Sequence, residues 1–219
     1  RETIKGRSDV QGKHKKQSGG HGQYGDVKIR FSPGEGDGLT FTQSVVGGSV
    51  PKNYFPAIEK GLLEAMQKGV LAGYPVVGLA ADLYDGSYHD VDSNELSFKM
   101  AASLAYKAGL PLAKPVLLEP IGELKVTIPD SVVGAVMGDI NSKRRGTVLG
   151  SNPAEGKPGY TTIDAEVPKA TMVEYTIDLR AMTQGKGSYS FYFVRYDEVP
   201  GSEAQKIIAE AKANMSEED

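Results

Sequence analysis

The sequence contains no cysteine and no apolar run long enough to cross a membrane. The absence of cysteine excludes disulfide bonds, thiolate metal sites and thiol nucleophiles. The longest apolar run, residues 76–81 with their neighbours, falls far short of the roughly 20 residues of a membrane-spanning helix. We therefore expect a protein without membrane partners, and the missing cysteines are consistent with a cytoplasmic location.

The composition is that of a globular protein with an uneven distribution of charge. The 219 residues are 39% hydrophobic and 24% charged, which is enough to build two ordinary domains. The formal net charge is −3, yet residues 1–31 carry eight Lys and Arg against three Asp and Glu. This basic N-terminal part favours a polyanionic partner, although a merely solvated surface would carry the same charges.

The first half of the chain predicts one mixed domain in the order ββαβα, with its helices on one face of the sheet. After a basic stretch and a glycine-rich bend, residues 26–31 alternate apolar and charged side chains like a half-buried strand. A second strand over 39–46 would pair with it in an antiparallel ribbon across the turn SPGEGDG. The other predicted elements are a helix over 52–68, a central strand over 76–84, and a helix that is capped by Asp92 or Ser93, ends near Lys107 and buries Leu96, Met100 and Leu104.

The second half predicts the order βαββαβ, which is the split βαβ, ferredoxin-like plan. The segment KPVLLEP at 114–120 contains two prolines and marks the domain boundary. Strands are predicted over 122–128, 146–151, 160–167 and 188–197, and helices over 131–142, 169–183 and 202–215.

Motifs of small-molecule chemistry are present only in part. Residues 20–25, GHGQYG, have the G-x-G-x-x-G spelling of a dinucleotide site but precede a strand instead of opening a helix. Residues 150–157, GSNPAEGK, have the wrong spacing for a phosphate-binding loop, and Pro158 stands where Ser or Thr is required. The acidic residues at 90–95 lack the glycine and distal glutamate of an EF-hand. An enzyme acting on a small molecule is therefore the least favoured class.

Residues around the glycine-rich bend suit a nucleic acid. Lys13, Lys15 and Lys16 can neutralise phosphates, and the glycines let backbone N–H groups approach an RNA backbone. Flat rings that can stack on bases or wedge beside them are supplied by His21, Tyr24, Tyr88 and His89. Glycine-rich turns with nearby lysines also occur in proteins that bind no RNA, so this chemistry alone leaves both interpretations open.

Long collinear stretches resemble one family. They read GKHKKQSGGHGQYG at 12–25, VVGGSVPKNYFPAIEKGLLEAMQKGVLAGYPV at 45–76, LYDGSYHDVDSNELSFKMAASLA at 83–105, KPVLLEPI at 114–121, VMGDINSKRRG at 136–146 and DLRAMTQGKGSYSF at 178–191. Through them the whole chain resembles the C-terminal half of bacterial translation elongation factor G. The resemblance implies two α+β domains: an elongated, RNA-probing domain IV over 1–119 with a left-handed βαβ crossover, and a ferredoxin-like domain V over 120–198. A C-terminal helix with an acidic tail would follow over 199–219.

The resemblance also implies a ribosomal function. Members of the family couple GTP hydrolysis to the movement of tRNA and mRNA, with domain IV in the small-subunit decoding region and domain V near the large-subunit GTPase-associated region. GTP and Mg²⁺ would bind to an N-terminal domain outside this sequence, so no catalytic residue, metal or cofactor is implied here, and we expect a monomer. The resemblance implies two tip loops, residues 18–25 and 88–92, with His89 at the apex of the second. The expected RNA and ribosome contacts lie in and beside these loops and at the basic end of a helix: Lys15, Lys16, Ser18, Gly19, Gly20, His21, Gly22, Gln23, Tyr24, Tyr88, His89, Asp90, Lys143, Arg144 and Arg145.

Two departures from the family pattern keep alternatives open. The family's usual tip reads SGGRGQYG, so His21 exchanges a permanent cation for a mostly neutral group. In domain V the common form has a glycine and smaller residues near Glu174 and Tyr175. The alternatives are a recycling-type paralogue without translocase activity and a free-standing ribosome- or RNA-binding module.

Overall fold

A computed structural model describes residues 1–217 and divides them into two compact units. The first unit combines residues 1–117 with the C-terminal segment that starts at Val199, and the second comprises residues 118–198. The C-terminal segment therefore groups with the first unit, whereas the sequence predicts it as a separate part. Among the described residues, no helix is long and apolar enough to span a bilayer.

The first unit is built around a four-stranded mixed sheet. Its elements are β1 Glu2–Ile4, β2 Ser8–Ser18, β3 His21–Pro33, β4 Leu39–Gln43, α1 Phe55–Ala65, β5 Leu79–Ser87, α2 Glu95–Gly109 and α5 Gly201–Glu217. The sheet has the order β2-β3-β5-β4, so β5 lies between two neighbours, which confirms the prediction of a central strand. Its pairing with β4 is parallel, so β4, α1 and β5 form a βαβ crossover. The hand of that crossover stays a prediction.

The predicted antiparallel ribbon between residues 26–31 and 39–46, which lie in β3 and β4, is wrong. Strand β3 pairs with β2 on one side and with β5 on the other, and β4 touches only β5. The apolar run of β5 is buried best between two strands. It therefore lies between β3 and β4, although these two strands are neighbours in sequence. The basic stretch at 13–17 belongs to β2. Both faces of its end are polar, so it lacks the apolar alternation that predicts a strand.

Helix α2 buries a different face from the predicted one. Leu96, Met100 and Leu104 are 54%, 43% and 42% exposed. The buried face consists of Phe98, Ala101, Ala102, Ala105 and Tyr106. This face lies on the sheet because its alanines allow a close approach: a Cβ on Gly12 would lie 2.1 Å from the Ala101 carbonyl oxygen. The helix begins after Asn94, whose side chain accepts a 2.8 Å hydrogen bond from the Ser97 N–H.

The second unit has the predicted split βαβ plan. Its elements are β6 Pro115–Pro129, α3 Val133–Asn141, β7 Thr147–Pro153, β8 Tyr160–Pro168, α4 Tyr175–Thr183 and β9 Ser188–Glu198. The strands lie in the order β9-β6-β8-β7 with antiparallel neighbours. The first residues of β6, 115–117, belong to the first unit and pair with β1. The confirmed order places both helices on one face, over a core that includes Leu124, Val136 and Leu179.

The predicted helix over 169–183 is interrupted. A short 3-10 turn spans Lys169–Met172, and α4 starts only at Tyr175. Between them Glu174 adopts a left-handed conformation with φ 63° and ψ 13°. A non-glycine residue there interrupts the helix without leaving a glycine signal in the sequence.

Candidate nucleic-acid interface

The hairpin of β2 and β3 ends in a two-residue turn at Gly19 and Gly20. The strands pair up to Ser18 and His21, and the two glycines have φ of 64° and 96°. Two consecutive residues with positive φ are the requirement of the tight hairpin turn, and glycine meets it without strain. The backbone of Ser18 belongs to β2, but its side chain lies outside what the structure describes.

The segment that follows β5, residues 88–94, packs beside this hairpin at Tyr24. The Tyr24 N–H donates a 3.0 Å hydrogen bond to the carbonyl of Asp92. The ring of Tyr24 stacks on that of His89, with centroids 3.8 Å apart and planes 5° from parallel. The two tip loops predicted from the sequence thus lie next to each other. We call this end of the first unit, residues 18–25 and 88–93, the hairpin end.

Ser93 connects the two segments a second time. Its hydroxyl accepts a 2.9 Å hydrogen bond from the N–H of His89 and donates a 2.8 Å bond to the carbonyl of Tyr24. The Ser93 N–H also bonds to the His89 carbonyl at 3.0 Å, and the hydroxyl of Tyr54 donates to the Ser93 carbonyl at 3.2 Å. Residues 89–93 therefore form one turn that is fixed to β3 and to the residue preceding α1.

A chain of hydrogen bonds lies beneath the stacked rings. The hydroxyls of Tyr24 and Ser87 are 2.6 Å apart, and Ser87 donates to a carboxylate oxygen of Asp26 at 2.7 Å. Gln11 donates to the other oxygen of Asp26, also at 2.7 Å. Sequence reasoning missed Gln11, Asp26, Ser87 and Ser93. The period of two puts Tyr24 and Asp26 on one face of β3, but Gln11 and Ser87 can be found only from the strand register.

Most of the predicted hairpin-end contacts lie at the surface. The side chains of Lys15, Lys16, His21, Tyr88, His89 and Asp90 are exposed, as are Gly19 and Gly20. Gln23 is half-buried, and its side chain lies 2.7 Å from the ring of His14. Gly22 leaves room for Asp92, because a Cβ at residue 22 would lie 2.7 Å from that carboxylate.

The structure corrects the expectation for Tyr24. It is only 6% exposed and its ring is covered by His89, so it cannot present an open face to a base. The ammonium of Lys13 lies 5.4 Å from its ring centroid, within cation–π range. Tyr24 therefore belongs to the support of the hairpin end, and His89 to its surface.

The three basic residues after α3 do not form one exposed patch. Arg144 is 1% exposed: it donates to Asp139 and Asp178 and to the carbonyls of Thr171 and Val173. This corrects the expectation of an RNA contact, because a guanidinium enclosed by four acceptors has no free donor face. Arg145 forms a two-pronged pair with Glu119, at 3.1 and 3.0 Å.

Of these three residues, Lys143 has the most exposed side chain. It is 62% exposed and lies 2.8 Å from the carboxylate of Asp178. The hydrogen bond from Lys143, and then the one from Arg144, holds the pKa of Asp178 below its ordinary value. Within residues 1–217, no three His, Asp or Glu side chains are grouped so as to hold a metal ion.

Comparisons with known proteins agree with the resemblance on both units. Residues 1–114 match the model of elongation factor G domain IV, and residues 116–207 match that of the elongation factor G C-terminus. An elongation factor G-like protein of Thermotoga maritima is 48% identical over 220 residues, which cover 100% of this chain and 32% of that protein. A crystal structure of a Thermus thermophilus protein has a TM-score of 0.84 at 47% identity, over 97% of this chain and 31% of its own. The chain thus spans about a third of the length of these relatives.

Proposed function

The chain belongs to the elongation factor G family of translation factors, and on this premise we propose that it is the C-terminal part of a ribosomal translocase. The hairpin end enters the small-subunit decoding region and contacts tRNA and mRNA. The second unit lies near the large-subunit GTPase-associated region. GTP and Mg²⁺ bind elsewhere in the longer protein, which acts as a cytoplasmic monomer, and these residues contribute binding and mechanical work without catalysis.

The observation that carries the proposal is the joining of the two tip loops through Tyr24. A wedge can bias the position of a tRNA only if it resists displacement, and residues 89–93 are fixed by the hydrogen bonds of Ser93 and by the stacked rings. The exposed Lys15 and Lys16 lie on the same hairpin and suit phosphates. The His89 side chain is 51% exposed, which supports a role in stacking on a base or wedging beside it.

Replacement of His89 by Ala in the full-length protein tests the proposal. We expect translocation to slow by about tenfold, since a stacked base contact contributes on the order of 1–3 kcal/mol. Ribosome-stimulated GTP hydrolysis should stay near the wild-type rate because that chemistry lies outside these residues. The measurements are single-round translocation with fluorescent mRNA and phosphate release under the same conditions.

A matched control is Tyr74→Ala, which removes a ring that is 47% exposed and precedes β5, at the opposite strand end from His89. It should leave both rates unchanged. An equal loss of translocation and GTP hydrolysis in His89→Ala would reject the assignment of the hairpin end.

The second candidate is a recycling-type paralogue without translocase activity. It is favoured by His21, an exposed residue where the family's usual tip has arginine, and by the relative described as elongation factor G-like. Reconstituted translation that lacks elongation factor G separates the two candidates. A translocase restores peptide synthesis, whereas a recycling paralogue only promotes the splitting of ribosomes after termination.

A further inference from the structure

We propose that Tyr24 and Ser93 are positioning residues that hold His89 in its working orientation, an inference that rests on the proposed role of the hairpin end. Tyr24 is almost fully buried, whereas the side chain of the stacked His89 is half exposed. The buried ring thus serves as a platform for the exposed one. Tyr24 acts on RNA through His89 and not by contacting RNA itself.

The orientation of the platform follows from the hydrogen bonds beneath it. An ionised carboxylate only accepts hydrogen bonds, so Asp26 takes the single hydroxyl proton of Ser87. The Ser87 oxygen is then left as the acceptor for the Tyr24 hydroxyl, 2.6 Å away. Gln11 completes the shell of Asp26, which is itself only 6% exposed. This chain of hydrogen bonds fixes the hydroxyl end of the Tyr24 ring, and strand β3 fixes the end that is attached to the backbone.

Ser93 fixes the position of the His89 backbone. Its hydroxyl proton goes to the carbonyl of Tyr24, and its lone pairs receive the N–H of His89. One oxygen atom therefore sets the distance between the backbone of His89 and that of Tyr24. The ring stack and the Ser93 hydrogen bonds both hold His89, so loss of either should allow its ring to leave the observed orientation.

A double-mutant cycle in the full-length protein tests this inference. Tyr24→Leu removes the stack, and we expect translocation to slow by about fivefold. That is the factor by which the loss of one aromatic pair would reduce the population of the stacked His89 orientation. GTP hydrolysis should be unchanged. In the His89→Ala background, Tyr24→Leu should cause no further slowing because its effect passes through His89. Tyr24→Phe keeps the ring but loses the hydroxyl bond to Ser87, so its rate should lie between those of Tyr24→Leu and the wild type.

Ser93→Ala provides a second variant with the same expectation, and it keeps the test decisive if Tyr24→Leu does not fold. The matched control is Tyr84→Leu. Tyr84 lies on the same sheet, but its ring packs on Arg30 with the guanidinium 3.9 Å from the centroid, and its hydroxyl bonds to Asp9. Unchanged translocation in both Tyr24→Leu and Ser93→Ala would overturn the proposal. So would equal slowing by Tyr24→Leu in the wild-type and His89→Ala backgrounds.

A spectroscopic measurement separates this inference from the proposed function. Carbon-13-labelled histidine in the 219-residue chain, which holds three histidines, reports the ring-current shift that the stacked Tyr24 imposes on His89. The shift should persist in Tyr24→Phe and vanish in Tyr24→Leu. If His89→Ala translocates normally while the shift behaves in this way, the proposed function fails and the positioning stands. If the shift is the same in Tyr24→Leu as in wild type, the positioning fails.

Discussion

Arg144 and its neighbour Lys143 offer a sharp test of how the second unit is held together. Both are basic, both follow α3, and both bond to the carboxylate of Asp178. Their side chains differ in exposure, 2% for Arg144 against 62% for Lys143. We therefore expect Arg144 to be essential for stability and Lys143 to be nearly dispensable. If both residues were RNA contacts, their replacement would have similar effects.

Replacement of Arg144 by Met keeps most of the aliphatic volume and removes the charge. The change leaves the carboxylate of Asp139 without the guanidinium, and it leaves the carbonyls of Thr171 and Val173 without a donor. Breaking a buried ion pair from one side costs about 3–5 kcal/mol, and the half-buried carbonyl of Thr171 loses its donor as well. We expect the free energy of unfolding of the second unit to fall by about 4 kcal/mol. Lys143→Met should cost less than about 1 kcal/mol, because exposed ion pairs contribute little.

Urea denaturation followed by circular dichroism gives the free energies, and hydrogen exchange of residues 133–183 assigns the loss to the second unit. Ribosome affinity at several salt concentrations completes the assay. An RNA contact at Arg144 would instead give a stable variant with a shallower salt dependence of binding. A stabilising role of Arg144 is refuted if Arg144→Met unfolds at the same urea concentration as Lys143→Met.

Three further predictions concern stability. Glu174→Gly should raise the free energy of unfolding by about 1 kcal/mol, because φ of 63° suits glycine, while Glu174→Ala should give no gain; thermal melts of both variants check this. Gly12→Ala should cost about 3 kcal/mol because its Cβ would meet backbone atoms of Ala101 and Ala105, whereas Gly22→Ala meets only the Asp92 carboxylate and should cost much less in urea titrations. The pKa of Asp178 is lowered from 3.8, so its ionised form stabilises the fold above that pH and the contribution is lost as pH falls through the lower folded value. Asp178→Asn should therefore show a smaller loss of stability than wild type on acidification from about pH 5 to about pH 2.

The fold could be predicted well where the periodicity of apolar residues alone determines the order of strands and helices. The βαββαβ order of the second unit follows from alternating periodicities, and the structure confirms it. The family resemblance is confirmed as well, by matches on both units. Strand pairing in the first unit could not be predicted from neighbouring segments alone. The contact between β3 and β5 joins residues separated by about 50 positions, and only the assembled sheet determines it.

The sequence predicts the wrong buried face for α2, because large apolar residues usually face a core. Here Leu96, Met100 and Leu104 give way to alanines, since the sheet beneath the helix carries Gly12 and Gly25. Close backbone approach outweighs side-chain size at that contact. In the candidate interface, the resemblance identifies exposed residues such as Lys16 and His89, whose role in RNA binding stays a prediction. It cannot distinguish them from Arg144, because exposure depends on partners distant in sequence.

The β2–β3 hairpin has a mechanical consequence. Its ladder is continuous along the 11 residues of β2, and the hydrogen bonds of an antiparallel pair run perpendicular to the strands. A load that pushes on the turn along the strand axis compresses both strands together and pulls none of these bonds apart. A sideways load at the turn acts on the pair of Ser18 and His21 first and peels the ladder one step at a time. The hairpin is thus stiffer against a load along its axis than against a sideways load at its turn.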